Sequence, residues 1–172
     1  MIKIRKAVIS EAGEILSFYE NIIFSLKNSE FNPKWNESYP DIEFINYSIL
    51  KGEMYVYSQN GLKACLVINN ELGKEYNNVK WHVNANPDEI IAIHTFAVKS
   101  MEKGIGKGIL DYIMKEAIKN NKKTIRVDVI DGNAGAQKVF EKLGFEYVDS
   151  VEMFHEAVGW ETFHLFERIL NE

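Results

Sequence analysis

Apolar and polar residues follow one another in blocks whose period changes along the chain. Ile2, Ile4 and Val8 alternate with Lys3, Arg5 and Lys6, a period of two that predicts a first strand. Ser10 then stands where a helix cap belongs, ahead of Ile15, Leu16, Tyr19, Ile22, Ile23 and Leu26, the spacing of one helical face. Asn28 to Pro40 is a polar connector, and Asp41 to Leu50 returns to helical spacing through Ile42, Ile45 and Ile49. Met54 with Val56, and Leu62 to Ile68, predict two strands joined at Gln59-Asn60-Gly61, a strong hairpin signal. A long polar loop, Asn69 to Asp88, separates them from Glu89 to Val98, which is apolar on both faces and so belongs at the centre of a sheet.

After a glycine-rich turn, Ile105, Ile109, Ile113 and Ala117 keep helical register. Thr124 to Ile130 predicts a strand, and Asn133 to Leu143 a short helix ended by Gly144 at its C′ position. Phe145 to Phe154 and Trp160 to Ile169 supply two more strands. No repeat, linker or low-complexity segment interrupts the series, so residues 1–172 are expected to form one α/β domain.

Composition narrows the class. An apolar fraction of 46% and a charged fraction of 26% are those of a globular chain and exclude disorder, collagen and coiled coil. No apolar run approaches the roughly 18 residues of a spanning helix, and the N-terminus lacks the apolar stretch of a signal peptide. The single cysteine, Cys65, excludes an internal disulfide and the common zinc frameworks. The cytoplasm is the expected compartment. Net charge is −5, yet Lys99 to Arg126 carries +5 and the remainder −10. A cationic island in an acidic chain suits a small phosphorylated ligand better than a nucleic acid.

The turn Gly104-Ile105-Gly106-Lys107-Gly108 lies between the central strand and its helix. The first turn of a helix leaves amides without partners and carries partial positive charge, and glycine lets an anion approach them. Three glycines in five residues exceed what a tight turn needs, so the segment reads as an anion site with Lys103 and Lys107 adding charge. The P-loop spacing is absent. The dinucleotide fingerprint fails too, because Ile109 stands at its third glycine and too little chain follows for a doubly wound sheet.

Gly104 and Gly106 take the glycine positions of the first signature of the GCN5-related N-acetyltransferases, and Asn133-Ala134-Gly135-Ala136-Gln137-Lys138-Val139-Phe140-Glu141-Lys142-Leu143-Gly144-Phe145 resembles the second. The order of elements resembles that superfamily from end to end. The resemblance implies a mixed, mainly antiparallel sheet of about seven strands with helices on both faces, splayed between strands four and five. It implies acetyl-CoA as co-substrate, with main-chain groups of Phe96, Ala97 and Val98 pairing with the pantetheine arm. Lys103, Gly104, Ile105, Gly106, Lys107 and Gly108 would surround the pyrophosphate, and Asn133 would reach the pantetheine. Two positions depart from the pattern: Met101 stands where Gln or Arg is usual, and Phe140 replaces the tyrosine proposed as acid for the departing thiolate, with Tyr112 and Tyr147 as substitutes.

The activity implied is direct transfer of acetyl to an amine acceptor, which needs a base for the ammonium proton and donors for the oxyanion. His94, alone among apolar neighbours in the central strand, is the candidate base; a core histidine satisfied by hydrogen bonds is the alternative, and Glu89, Asp128 or water are other bases. Amides at Ala97 or Val98 serve as oxyanion donors if the strand is distorted there. Trp35, Tyr39 and Trp81 lie in connectors and are candidate walls for the acceptor, by cation–π contact with its ammonium. The histidines show no metal spacing, so no metal is expected. The expected partner is a small-molecule or peptide amine, not a nucleic acid or a membrane, with a homodimer left open. A non-catalytic acyl-CoA-binding module of the same fold is the rival reading.

Overall fold

The structure, a computed structural model, describes residues 1–99 and 103–170. Seven strands form one sheet: β1 Arg5–Lys6, β2 Met54–Ser58, β3 Leu62–Asn69, β4 Ile90–Val98, β5 Thr124–Ile130, β6 Glu146–His155 and β7 Gly159–Ile169. Among the described residues four α-helices accompany them: α1 Ala12–Leu26, α2 Ile42–Leu50, α3 Ile105–Lys119 and α4 Ala134–Lys142. The strand order is β1-β2-β3-β4-β5-β7-β6, antiparallel except for the central β4–β5 pair. This is the mixed, seven-stranded α/β arrangement expected.

Side-chain alternation assigns the helices to opposite faces. Ala64 and Leu66 of β3, with Ile125, Val127 and Val129 of β5, pack under α3 and α4. Cys65 and Val67, one residue out of phase, pack under α1 and α2 with Ile15, Tyr19, Ile22, Ile45 and Ile49. The loop after β3 is less open than its polarity suggests. A 3-10 turn at Lys74–Tyr76 buries Tyr76 in a third cluster with Ile130, Phe163 and Leu165, so the loop covers the far half of the sheet.

Local signals fix most ends. Asn60 and Gly61 both have positive φ (56° and 99°), the backbone an Asn-Gly hairpin requires. The Asn133 side chain accepts from the Ala136 amide at 3.2 Å and caps α4, and Gly144 closes it at φ 83°. The first strand and first cap differ from expectation. β1 is only two residues long, because Ile2 turns away to pack on Gly108 of α3. Ser10 lies inside a 3-10 turn, Ile9–Glu11, and does not cap α1; Glu11 instead accepts from the Val8 amide at 2.8 Å and pairs with Arg5 at 2.6 Å.

Candidate functional site

The parallel ladder between β4 and β5 runs from Ile90 opposite Thr124 to Ile93 opposite Val127 and stops there. β4 continues to Val98 and β5 to Ile130, so the two strands diverge over their C-terminal halves. On its other edge β4 keeps β3, with Ala97 opposite Cys65 and His94 opposite Val67. Thr95 and Phe96 therefore face Leu66 alone, a bulge that bends the strand. Thr95 has φ 46°, a strained conformation for a β-branched residue. The buried Tyr19 hydroxyl holds it by donating to the Thr95 carbonyl at 2.8 Å. The Thr95 hydroxyl is buried without a hydrogen bond among the described residues.

A cleft of about 450 Å³ fills the wedge. Its floor is His94 to Lys99 and Val127 to Ile130; one mouth has Gly106, Asn133, Ala136 and Phe140, the other Trp35, Tyr39 and His155. The α3–α4 face and the α1–α2 face are thereby joined through the sheet. Gly104 caps α3 in a left-handed conformation (φ 87°), and the helical ladder begins with the Gly108 amide on the Gly104 carbonyl at 2.9 Å. The amides before Gly108 belong to the turn that has no helical partners.

The three glycines of this turn do different work. Gly104 supplies its dihedral. Gly108 makes room for Ile2, whose Cδ1 is 2.5 Å from where a Cβ would stand. Only Gly106 lines the cleft, with Val98 Cγ2 3.7 Å from its absent Cβ. Lys107 pairs with Asp111 at 2.6 Å and Lys103 is exposed; neither lines the cleft, and buried Ile105 is part of the core. Met101 lies outside the described residues.

The family whose sequence profile matches the chain is described as the Acetyltransferase (GNAT) family, and the match covers residues 21–145. The chain belongs to the GNAT acetyltransferase family. Solved structures share the fold over nearly the whole length. A GNAT-family acetyltransferase of Streptococcus agalactiae is 18% identical, with 99% of this chain and 96% of that chain covered and a TM-score of 0.81. A candidate acetyltransferase of Salmonella typhimurium, solved with its cofactor acetyl-CoA, is 15% identical over 100% and 95%, at 0.68. A ribosomal-protein-alanine N-acetyltransferase of Brucella melitensis is 17% identical over 98% and 99%, at 0.67. No curated protein matches. As a GNAT acetyltransferase the chain is an enzyme, an acetyl-CoA-dependent N-acetyltransferase.

Within this GNAT domain the cleft gathers His94, Phe96, Ala97, Val98, Gly106, Asn133, Phe140, Trp35 and Tyr39. Trp81 is elsewhere. It lies over the Arg126 guanidinium at 4.4 Å, and Arg126 in turn bonds Glu167 (2.9 Å) and the Val83 carbonyl (2.7 Å). Its cation–π partner is internal, and it is not among the residues that line the cleft. Glu89 pairs with Lys123 at 2.9 Å and is not among the residues that line the cleft. Phe140 packs edge-on to Phe145, 5.1 Å between centroids, and offers no proton. The substitutes do not reach the cleft: Tyr112 packs against the α3 core, and exposed Tyr147 shares a hydrogen bond with Ser150 at 2.7 Å.

His94 Nε2–H donates to Asn69 Oδ1 at 2.7 Å, which leaves Nδ1 as the basic nitrogen. Burial lowers its pKa below the usual histidine value, and the carboxylate of Asp128 works in the opposite direction. Asp128 lines the same cleft and accepts from the Tyr76 hydroxyl at 2.7 Å. Burial raises its pKa above that of an ordinary aspartate, while the Tyr76 bond and His94 oppose the rise. Tyr39 meets His155 edge-on at 4.8 Å, joining the α1–α2 connector to the β6–β7 hairpin across the mouth. Tyr19, Tyr76, Thr95, Asn69 and His155 were not legible as site residues. Tyr19 sits in an ordinary helical stripe, and the others are ordered only by the pairing of distant segments.

Proposed function

We propose that the cleft binds the thioester arm of acetyl-CoA between the diverged strands and passes its acetyl group directly to a primary amine. One observation carries the reading: β4–β5 pairing ends at Ile93 and Val127 while both strands continue. The free edge of β4 at Phe96, Ala97 and Val98 then has main-chain donors and acceptors for the pantetheine amides, as an added strand would. Asn133 uses Oδ1 for its cap, so its Nδ2 amide is left to donate. Amides of the α3 first turn, beside Gly106, receive the diphosphate, with Lys103 and Lys107 contributing long-range charge at its rim.

The acceptor enters past Trp35, Tyr39 and His155. His94 Nδ1 takes the ammonium proton, and the carboxylate of Asp128 stabilises the imidazolium that forms. The freed nitrogen forms a bond to the thioester carbon, and the carbon–sulfur bond breaks. The bulge at Thr95–Phe96 leaves the Val98 amide, which points away from β3, to donate to the developing oxyanion. The sulfur departs as thiolate, a fair leaving group near neutral pH, and takes up the proton that the acylated nitrogen releases through solvent, so Phe140 is no obstacle. Residues 1–172 act as one acetyltransferase domain, and we place the reaction in the cytoplasm on the compositional grounds above.

Thiol release from acetyl-CoA with a panel of small amines tests this reading. Turnover that needs an amine, and acetyl-CoA binding weakened at least about tenfold by Gly106→Val through blocked access to the helix amides, are expected. Acetyl-CoA affinity unaltered by that substitution would overturn it.

A further inference from the structure

A second cavity, of about 250 Å³, adjoins the cleft on the α2 side. The two share Tyr39, Leu72 and His94, so they meet at the proposed base. The second cavity is distinct in chemistry. Glu53 and Glu71 supply its charge, Phe44 and Tyr47 its aromatic surface, and its lining includes no lysine or arginine. Ser48 lines it, is only 2% exposed, and its hydroxyl has no hydrogen-bond partner among the described residues. Open to the cavity, that hydroxyl can accept from a donor seated there.

An internal cation already uses the rim. Lys51 Nζ lies 5.3 Å from the centre of the Tyr47 ring and 3.6 Å from Glu53 Oε1. An aromatic face beside a carboxylate is the setting that binds an ammonium by cation–π and ionic attraction together. Among the described residues no three acidic, histidine or cysteine side chains converge as metal ligands, so an organic cation suits the lining better than a metal ion.

We propose that this cavity seats the far ammonium of a linear dicationic amine whose near amine is acetylated beside His94. The acceptor class is then a diaminoalkane or polyamine. The inference rests on the acetyl-transfer reading of the cleft and adds to it a subsite for the second charge.

Diaminoalkanes, each compared with the monoamine of equal chain length, test the subsite. One ionic and one cation–π contact at a partly open site predict a kcat/KM ratio of about ten in favour of the diamine. The double variant Glu53→Gln/Glu71→Gln should bring that ratio close to one, and Lys51→Met, which removes the competing cation, should raise it. A ratio near one in the parent enzyme, or one unchanged in both variants, overturns the subsite even if amines are acetylated. If no amine is acetylated the transfer reading falls, and calorimetric binding of diaminopentane still decides the cavity. Affinity lost in the double variant and gained in Lys51→Met supports it; affinity indifferent to both refutes it.

Discussion

At the scale of single residues, the proposed chemistry depends on two groups that burial pushes in opposite directions. His94 titrates below its ordinary value, so at neutral pH it is an unprotonated base, and the activity it supports falls as pH drops through its lowered pKa, below 6.5. His94→Gln should cut kcat about a hundredfold or more and remove that acid limb from the pH–rate profile. A profile that keeps the limb would dismiss His94 as the base. Because Asp128 raises the His94 pKa, Asp128→Asn should move the limb to lower pH as well as slow turnover.

The same substitution has a stability signature. A carboxyl whose folded pKa is raised contributes stability below its unfolded value of about 3.8, and that contribution is lost as pH rises through the raised folded value. In its ionised form Asp128 is thus a cost to the fold. Asp128→Asn, which keeps an oxygen to accept from Tyr76, should leave thermal stability at pH 7 unchanged or increased while activity drops. A clear loss of stability would mean that the group is structural.

At the scale of elements, the glycine turn was visible in the sequence as a unit but not in its division of labour. Its spacing could not reveal that Ile2 comes over α3, since the first strand was expected to run past that point. Gly106→Ala and Gly108→Ala should separate the two roles. The first places a methyl in ordinary contact with Val98 and favours the helix by up to about 1 kcal/mol, while weakening acetyl-CoA binding. The second forces Ile2 aside and should cost about 1–3 kcal/mol with the smaller effect on affinity. Denaturant midpoints and calorimetric affinities for both variants measure the contrast. Equal effects on affinity would put both glycines at the cleft.

The connectors show a similar division. Trp35 and Tyr39 reach the cleft because their connector crosses the sheet; Lys34 pairs with Glu161 at 3.1 Å, and the Gly135 amide bonds the Glu30 carbonyl at 2.8 Å. Trp81, an aromatic in an equally polar loop, is taken by Arg126. Composition alone does not distinguish an aromatic available to a ligand from one satisfied internally.

At the scale of the molecule, the sheet is held together on one side of the wedge and open on the other. Thr124, Arg126 and Val83 all bond the carboxylate of Glu167, which is 0% exposed, tying the long loop to β5 and β7 beneath the cleft. Arg126→Met leaves that carboxylate buried without its cation and should cost about 3–5 kcal/mol in chemical denaturation; a loss under about 1 kcal/mol would place the pair among surface bridges. Ligand occupancy of the open side should act in the other direction. Acetyl-CoA at about a hundred times its Kd adds about 2.7 kcal/mol, a rise in Tm of roughly 5–10 °C for a chain of this size.

The periodicities of Ile90 to Val98, of α3 and of α4, with the glycines and Asn133 between them, determined the order of elements, the central strand and the proposed cofactor side of the cleft. Those features are local: each is written in the spacing of a few adjacent residues and in dihedral preferences that need no partner. Where β4 leaves β5, which glycine faces the cleft, and the meeting of His94 with Asp128 and Asn69 were decided only in three dimensions. They depend on a bulge held by Tyr19 from another helix and on burial that shifts ionisation, and both arise from contacts between segments far apart along the chain.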